Sequence, residues 1–460
     1  MMSAMPPITD APCPQLVPGD PGYDDARQVW NGDIDRKPAL IAQVTGPADV
    51  AACLAYARCN GLEVTVRGGG HNLAGTAVAD GALLIDLSGL RTVHVDPVAR
   101  TARVGGGATN ADLDAATQAH GLAVPAGTYS DTGIGGLTLG GGFGWLTAKH
   151  GLSVDNLISA EIVLADGRVV RARAHSHPDL FWALRGGGGN FGVVTEFEFQ
   201  LHPVGPLVDA GLFFWEIDRG ADALRLVRDL ASDLGDTGLM ITGMTAPPAP
   251  FVPQEHHGKL GYSLMLAGFA GTEAFSALAQ RVRDALPPLF ELVTPLPYTE
   301  LQKMLDGIGY RGVHAYEKAV YAEELSDDLI DVLVSNLPLK ASPMSATPIA
   351  LIDGAYTAVP EGATAFGGSR RRLYCVGLTA ICPAPELLAA DRAWVRAHWE
   401  KLLPYASNSG GYVNFMGEYE QDRVRATYGP AKYDRLARVK AAYDPDNVFH
   451  HNGNIKPALG

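Results

Sequence analysis

The chain has little that would mark it for the cell exterior, a membrane or a nucleic acid. Its five cysteines, Cys13, Cys53, Cys59, Cys375 and Cys382, are odd in number and include no C-x-x-C pair. Neither a disulfide framework nor a zinc site can be read from them. No apolar run approaches the ~20 residues that span a bilayer. The stretch from Met1 to Tyr23 lacks the apolar segment of a secretory signal, and a twin-arginine leader is missing, so a reduced, cytoplasmic protein is expected. Basic residues are in deficit: 36 Lys and Arg against 50 Asp and Glu give a net charge of −14, which argues against nucleic acid or an anionic membrane as partner. The motifs G-x-x-x-x-G-K-[ST], H-E-x-x-H and G-x-S-x-G are absent, leaving an ATPase, a zincin or a serine hydrolase without support. His256-His257 and His450-His451 have no carboxylate or cysteine at ligand spacing, so they read as solvent-facing and no metal is expected.

What the chain has in excess is glycine, 54 residues concentrated before residue 193. Arg67-Gly68-Gly69-Gly70-His71 is the most informative cluster. Three glycines remove side-chain bulk, so backbone N–H groups can approach a ligand closely and present the imidazole to it. Further clusters lie at Gly105 to Gly107, Gly133 to Gly144, and Gly186 to Gly189 with Gly192. Repeated close approach of backbone to one large ligand points to a flat cofactor with a diphosphate. Gly187-x-Gly189-x-x-Gly192 satisfies the G-x-G-x-x-G pattern of nicotinamide enzymes, but an alternating strand follows it where a helix should open.

At 460 residues, 47% hydrophobic and 19% charged, the sequence describes a globular protein of two domains. Pro47 to Asn60 reads as a helix with Val50, Cys53, Leu54 and Ala57 on one face and Gly61 as its stop. Val64-Thr65-Val66 is a short strand running into the glycine loop, and Leu83 to Leu87 a buried strand interrupted by Asp86. Hairpins are expected around Asp96-Pro97 and Asp166-Gly167. Asn110 is expected to cap a helix ending at Gly121. Val193, Thr195, Phe197, Phe199 and Leu201 alternate with polar residues as in a half-buried strand. After Pro203-Val204-Gly205-Pro206 the glycine clusters stop and longer elements run to about Pro404. The tail from Tyr405 carries two helices, one opening at Pro430.

Several long motifs recur in order. They are Y-D-D-A-R-Q-V-W-N-G-D-I-D from Tyr23, R-G-G-G-H-N from Arg67, and the block from Gly127 ending G-G-G-F-G-W at Trp145. D-L-F-W-A-L-R-G-G-G-G-N-F-G-V-V-T follows from Asp179, then G-G-Y-V-N-F from Gly410, and Y-D-P-D-N-V-F from Tyr443 with N-x-N at Asn452. Together they resemble the FAD-linked oxidases of the vanillyl-alcohol-oxidase superfamily, in its berberine-bridge-enzyme-like branch, nearest to bacterial members from natural-product pathways. The resemblance implies an α+β fold. Residues 1–205 would form a two-part FAD-binding domain of the PCMH type (core about 36–205). Residues 206–404 would form a substrate domain, an antiparallel sheet backed by helices, and 405–460 would pack back on the FAD domain.

The resemblance also implies an elongated FAD along Arg67, Gly68, Gly69, Gly70, His71, Asn72 and Gly75. It would continue along Gly127, Thr128, Tyr129, Thr132, Gly133, Gly136, Gly140, Gly141, Gly142 and Gly144, and reach Gly192, Val193, Val194, Tyr412, Asn414 and Asn452. His71 matches the histidine that bonds the flavin 8-methyl carbon. Tyr129 stands where many relatives place a second, cysteinyl link, so one covalent bond through His71 is expected. Asp131 stands where single-link relatives commonly have histidine. Tyr412 matches a tyrosine that serves as base, and needs a cation or second hydroxyl to bring its pKa down from ~10. Relatives carry a carboxylate or tyrosine on the strand near Leu351 to Val359; Tyr356 is the residue expected to face the flavin there, with the alkaloid-oxidising carboxylate missing near Thr357 or Ala358. The implied activity is hydride removal from an alcohol or related C–H of a bulky natural product or sugar-like substrate, with dioxygen reduced to peroxide by a monomer or homodimer. An oxygenase or cyclase on a polyketide-type substrate, a dehydrogenase, and a non-redox cyclising flavoprotein are the alternatives.

Overall fold

A computed structural model describes residues 7–407 and 411–459; residues 1–6 and Gly410 of the G-G-Y-V-N-F motif lie outside the described residues. The first sheet orders β1 (Gln15–Leu16), β2 (Leu40–Gln43), β3 (Val64–Arg67) and β4 (Leu83–Asp86) as β1-β2-β4-β3, with β2, β4 and β3 parallel. Parallel strands need crossovers, and the helix Pro47–Asn60 provides the one from β2 to β3. Its Val50, Cys53, Leu54 and Ala57 are buried against β2, β3 and β4, and Gly61 ends it with φ 63°. Asp86 does not weaken the buried strand, because the guanidinium of Arg67 grips both its oxygens at 3.1 and 2.6 Å. A buried acid is tolerable when paired in this two-pronged way.

The second sheet takes in β5 (Val93–Asp96), β6 (Thr101–Gly105), β8 (Leu157–Val163), β9 (Val169–Arg173) and β10 (Val193–Gln200), all antiparallel in the order β5-β6-β10-β8-β9. Both hairpins turn where the sequence places them. β7 (Leu122–Ala123) pairs separately with β11 (His202–Pro203). The intervening helix Asn110–Gln118 is capped by Thr109, not Asn110: Thr109 Oγ1 accepts from Asp112 N, and Asp112 accepts from Thr109 N at 2.8 Å, a reciprocal capping box. Asn110 is one residue inside the helix, free to donate to the carbonyl of Tyr129 at 2.8 Å and hold the next glycine loop.

The third sheet is antiparallel and seven-stranded. Its strands are β12 (Leu207–Glu216), β13 (Gly238–Thr245), β14 (Leu260–Gly268), β15 (Phe290–Pro297), β16 (His314–Ala322), β17 (Thr347–Ile352) and β18 (Leu373–Cys382), ordered β15-β12-β14-β13-β17-β18-β16. One face is covered by the helices Gly220–Leu230, Thr272–Ala285, Asp327–Asn336 and Pro385–Leu402 around a core including Ile241, Ile349, Val376 and Val320. The period of two sends Met240, Ala350, Cys375 and Glu317 to the opposite face, toward the glycine loops.

The tail helix Gln421–Tyr443 breaks at Gly429 (φ 68°, ψ 163°), so Pro430 opens a new helix as its fixed φ favours. Val424, Tyr428, Tyr433 and Leu436 bury this tail against the second sheet and the helix Pro178–Leu184. No helix among the described residues is long and apolar enough to cross a membrane.

Candidate active site

Between the glycine loops and the bare face of the third sheet lies a cavity of about 410 Å³. On the loop side, Gly69 and Gly133 cross backbone to backbone: a Cβ on Gly69 would stand 2.4 Å from Gly133 N, and one on Gly133 2.3 Å from Gly69 N. Only glycine permits this crossing, which sets the entry of the loop that carries His71. Gly136 lines the cavity with nothing within 4 Å on its Cβ side. Thr65 Oγ1, Trp145 Nε1 and Asn452 Oδ1 also line it, buried and without a hydrogen-bond partner among the described residues. Buried polar atoms are normally paired, so these three fit a polar ligand. No lysine or arginine is among the described lining residues, so a diphosphate would meet backbone N–H donors, the usual role of glycine-rich loops.

Most residues expected to hold the cofactor line this cavity: Gly68, Gly69, Gly70, His71, Asn72, Gly127, Thr128, Tyr129, Thr132, Gly133, Gly136, Gly144, Gly192, Val193, Val194, Tyr412, Asn414 and Asn452. Five do not, and each has another task. Arg67 binds Asp86 and the backbone carbonyls of Ala26 and Gln28. Gly75 makes room for Ile34, whose side chain would lie 2.6 Å from a Cβ there. Gly140 makes room for the Asn414 amide and Gly141 for the Phe366 ring. Gly142 makes room for Ser153 and donates its N–H to the Tyr412 hydroxyl at 3.0 Å.

His71 is held from two sides. Its Nε2 lies 3.1 Å from Asp131 Oδ1, and its ring stands 4.9 Å from Trp30 and 5.9 Å from Tyr129 between centroids. Burial alone would push the Asp131 carboxyl up; the hydrogen bond from His71 and the electrostatic influence of His71 and Arg311 bring it below its ordinary value. An ionised Asp131 is therefore placed to orient the imidazole. The loop is anchored across the cavity as well, by Ser130 to Asp306 at 2.9 and 2.6 Å and by Gln302 donating to the Gly127 carbonyl at 3.1 Å.

In the tail, just before the turn Val413–Phe415, the Tyr412 hydroxyl accepts from Gly142 N (3.0 Å) and from Asn414 Nδ2 (2.8 Å). Burial pushes this phenol well above its ordinary value, and the two hydrogen bonds only moderate that. Neither a cation nor a second hydroxyl bonds to it among the described residues. Arg370 instead binds both oxygens of Asp155 at 2.7 and 2.8 Å and lies 5.0 Å over the ring of Tyr356.

Tyr356 itself departs from expectation. β17 ends at Ile352, and Gly354–Tyr356 is a 3₁₀ turn, so no strand continues to carry residue 356 toward the cavity. The Tyr356 side chain is fully buried against Phe366, donates to the carbonyl of Ser369, and does not line the cavity.

The wall residue that sequence reading overlooked is Glu317 on β16, the one carboxylate among the described lining residues. An acid flanked at i±2 by Ala315 and Ala319 was the available signal, but the sequence cannot say which face of the strand looks inward. His450-His451 also needs correction, since Glu63, distant in sequence, brings a carboxylate oxygen 2.6 Å from His451 Nε2.

Comparisons with known proteins agree with this geometry. The family model for the FAD binding domain matches residues 38–173, and that for berberine and berberine-like proteins matches 411–456. (R)-6-hydroxynicotine oxidase of Paenarthrobacter nicotinovorans is 32% identical over 467 residues, covering 96% of each chain. Among solved structures, 6-hydroxy-D-nicotine oxidase from Arthrobacter nicotinovorans superposes with a TM-score of 0.85 at 27% identity, covering 98% of this chain and 99% of that one. Physcomitrella patens BBE-like 1 gives 0.86 at 23% identity and 98% of each chain, a likeness of fold. The chain belongs to the FAD-linked oxidoreductases of the berberine-bridge-like family, and it is an enzyme that uses FAD on a small-molecule substrate.

Proposed function

We propose that the enzyme is an oxidase that takes a hydride from a C–H bond beside an oxygen or nitrogen atom of a bulky substrate and returns the electrons to dioxygen as hydrogen peroxide. The reading rests on one observation: a single cavity to which the glycine loops present His71, the tail segment presents Tyr412 and the third sheet presents Glu317. The similarity over the full length to an oxidase supports it. FAD, when bound, supplies the two-electron acceptor. Gly68 to Gly70, Gly127 to Thr132 and Gly192 to Val194 would cradle it, and Asn452 would meet it from the tail. In this reading 1–205 hold the cofactor, 206–404 the substrate, and 405–460 close the cofactor unit.

His71 is the single covalent anchor in the same proposal, oriented by Asp131. Tyr129 cannot form a thioether, and Cys375, which lines the sheet wall, is the cysteine that must be checked. Acid precipitation should leave the protein yellow, and digestion should yield flavin on the peptide containing His71 alone. Flavin on a Cys375 peptide, or released by acid, refutes the single link. Anaerobic addition of alcohols, sugars, amines and polyphenols should bleach the flavin for one class, with peroxide formed on admitting oxygen. Turnover without bleaching would overturn the oxidase reading.

A further inference from the structure

Glu317 is a buried acid with no partner among the described residues. Only 8% of the residue is exposed, and its carboxyl makes no hydrogen bond or ion pair among the described residues. The neighbouring Lys318 cannot neutralise it: strand alternation turns Lys318 away, where it meets Glu418 at 3.1 Å. The titratable groups around Glu317 are Tyr129 from the loop after β7, Cys375 from β18 and Tyr419 from the tail, and its charge opposes ionisation of all three. His71, on the loop wall, is already engaged by Asp131. An unpaired buried carboxylate is costly unless it stays protonated or meets a cation, and burial pushes Glu317 up to about 8.

We infer that Glu317 is the specificity-determining acid of the cavity, selecting substrates that carry a basic amine, bound as a carboxylate–ammonium pair. The inference rests on the proposed function only in assigning the sheet side of the cavity to substrate and the loop side to FAD. A neutral hydroxyl would leave Glu317 protonated and add one ordinary hydrogen bond. An ammonium gives a pair of zero net charge in a low-dielectric wall, where a charge-assisted bond is roughly twice as strong. The aromatic rings of Phe143, Tyr412 and Phe415, which also line the cavity, suit a cation attached to a ring. Since Glu317 is mostly protonated at neutral pH, binding an ammonium must expel its proton to solvent.

The test uses the holoenzyme with benzylamine and benzyl alcohol, ligands matched in shape and different in charge, measured by calorimetry in two buffers of unlike ionisation heat. At pH 8 benzylamine should bind at least about tenfold tighter than the alcohol. Its affinity should rise by up to about tenfold per pH unit from about 6.5 to 7.5, with release of close to one proton. Glu317→Gln should bring the two ligands close to parity and abolish the pH dependence. Glu317→Asp, which keeps the charge on a shorter arm, should retain part of the preference. Wild-type protein without preference or proton release, or a preference that survives in Glu317→Gln, overturns the inference. Should Glu317→Gln fail to fold, wild-type proton release and the Asp variant decide it. Flavin content is read separately from the absorbance of the same samples, so colourless protein refutes the functional reading while calorimetry still judges Glu317.

Discussion

Tyr412 accepts two N–H bonds and still has its own proton, in surroundings that keep the phenol neutral. It is therefore better suited to donate a hydrogen bond to substrate than to act as an ionised base. Tyr412→Phe is expected to keep its flavin while anaerobic flavin reduction slows by about 10²-fold or more, read by stopped-flow absorbance. Glu317 makes a second prediction at this scale. In the unfolded chain its carboxyl ionises near the ordinary 4.5, and in the native protein near about 8. Between those values the native state holds a proton that the unfolded state has lost. Stability contributed by this group is thus full below the lower value, falls by at most about 1.4 kcal/mol per pH unit through the window, and levels off above it. Glu317→Gln should remove that decline, so its melting temperature should exceed that of the wild type at pH 9, the difference shrinking toward pH 5.

At the scale of elements, the crossing of the two glycine loops decides whether a cofactor site exists at all. Gly69→Ala puts a methyl group against Gly133 backbone that no rotamer can move aside. Overpacking of this kind costs about 1–3 kcal/mol, and here it would also displace His71. Flavin incorporation should drop severely, measured as the ratio of flavin to protein absorbance, whereas Gly46→Ala, with open space at its Cβ, should incorporate normally. The elements also mark where sequence patterns were legible. The helix Pro47–Asn60, both hairpins and the alternation of β10 were readable because one face of each is buried by local periodicity. The cap at Thr109 was misassigned by one residue because Thr and Asn both cap well, and only the Asp112 return bond distinguishes them. The strand was carried too far at Tyr356 because Leu351 to Val359 has enough apolar residues to continue, whereas Gly354 (φ 66°) turns the chain.

For the whole molecule, one buried pair ties the tail to the body of the chain. Lys440, fully buried, pairs with Asp444 at 2.6 Å and donates to the carbonyls of Asn190 and Phe449, tying the tail to the fourth glycine cluster. Removing one member of a buried pair leaves the other charge uncompensated. Lys440→Met should cost about 3 kcal/mol in denaturant unfolding and expose the segment after Asp444 to protease before the rest of the chain.

The sequence by itself determined that backbone would approach a large ligand at several loops, which residue would present an imidazole there, and which family the chain joins. Those features rest on glycine, on local periodicity and on short contiguous motifs. Only the tertiary structure decided that Arg67 pairs with Asp86, that Glu63 reaches His451, that Tyr356 is turned away from the cavity, and that Glu317 lines it with no partner among the described residues. Each of these depends on which face of one element meets another far along the chain, and burial, charge pairing and desolvation have no value until that meeting has occurred.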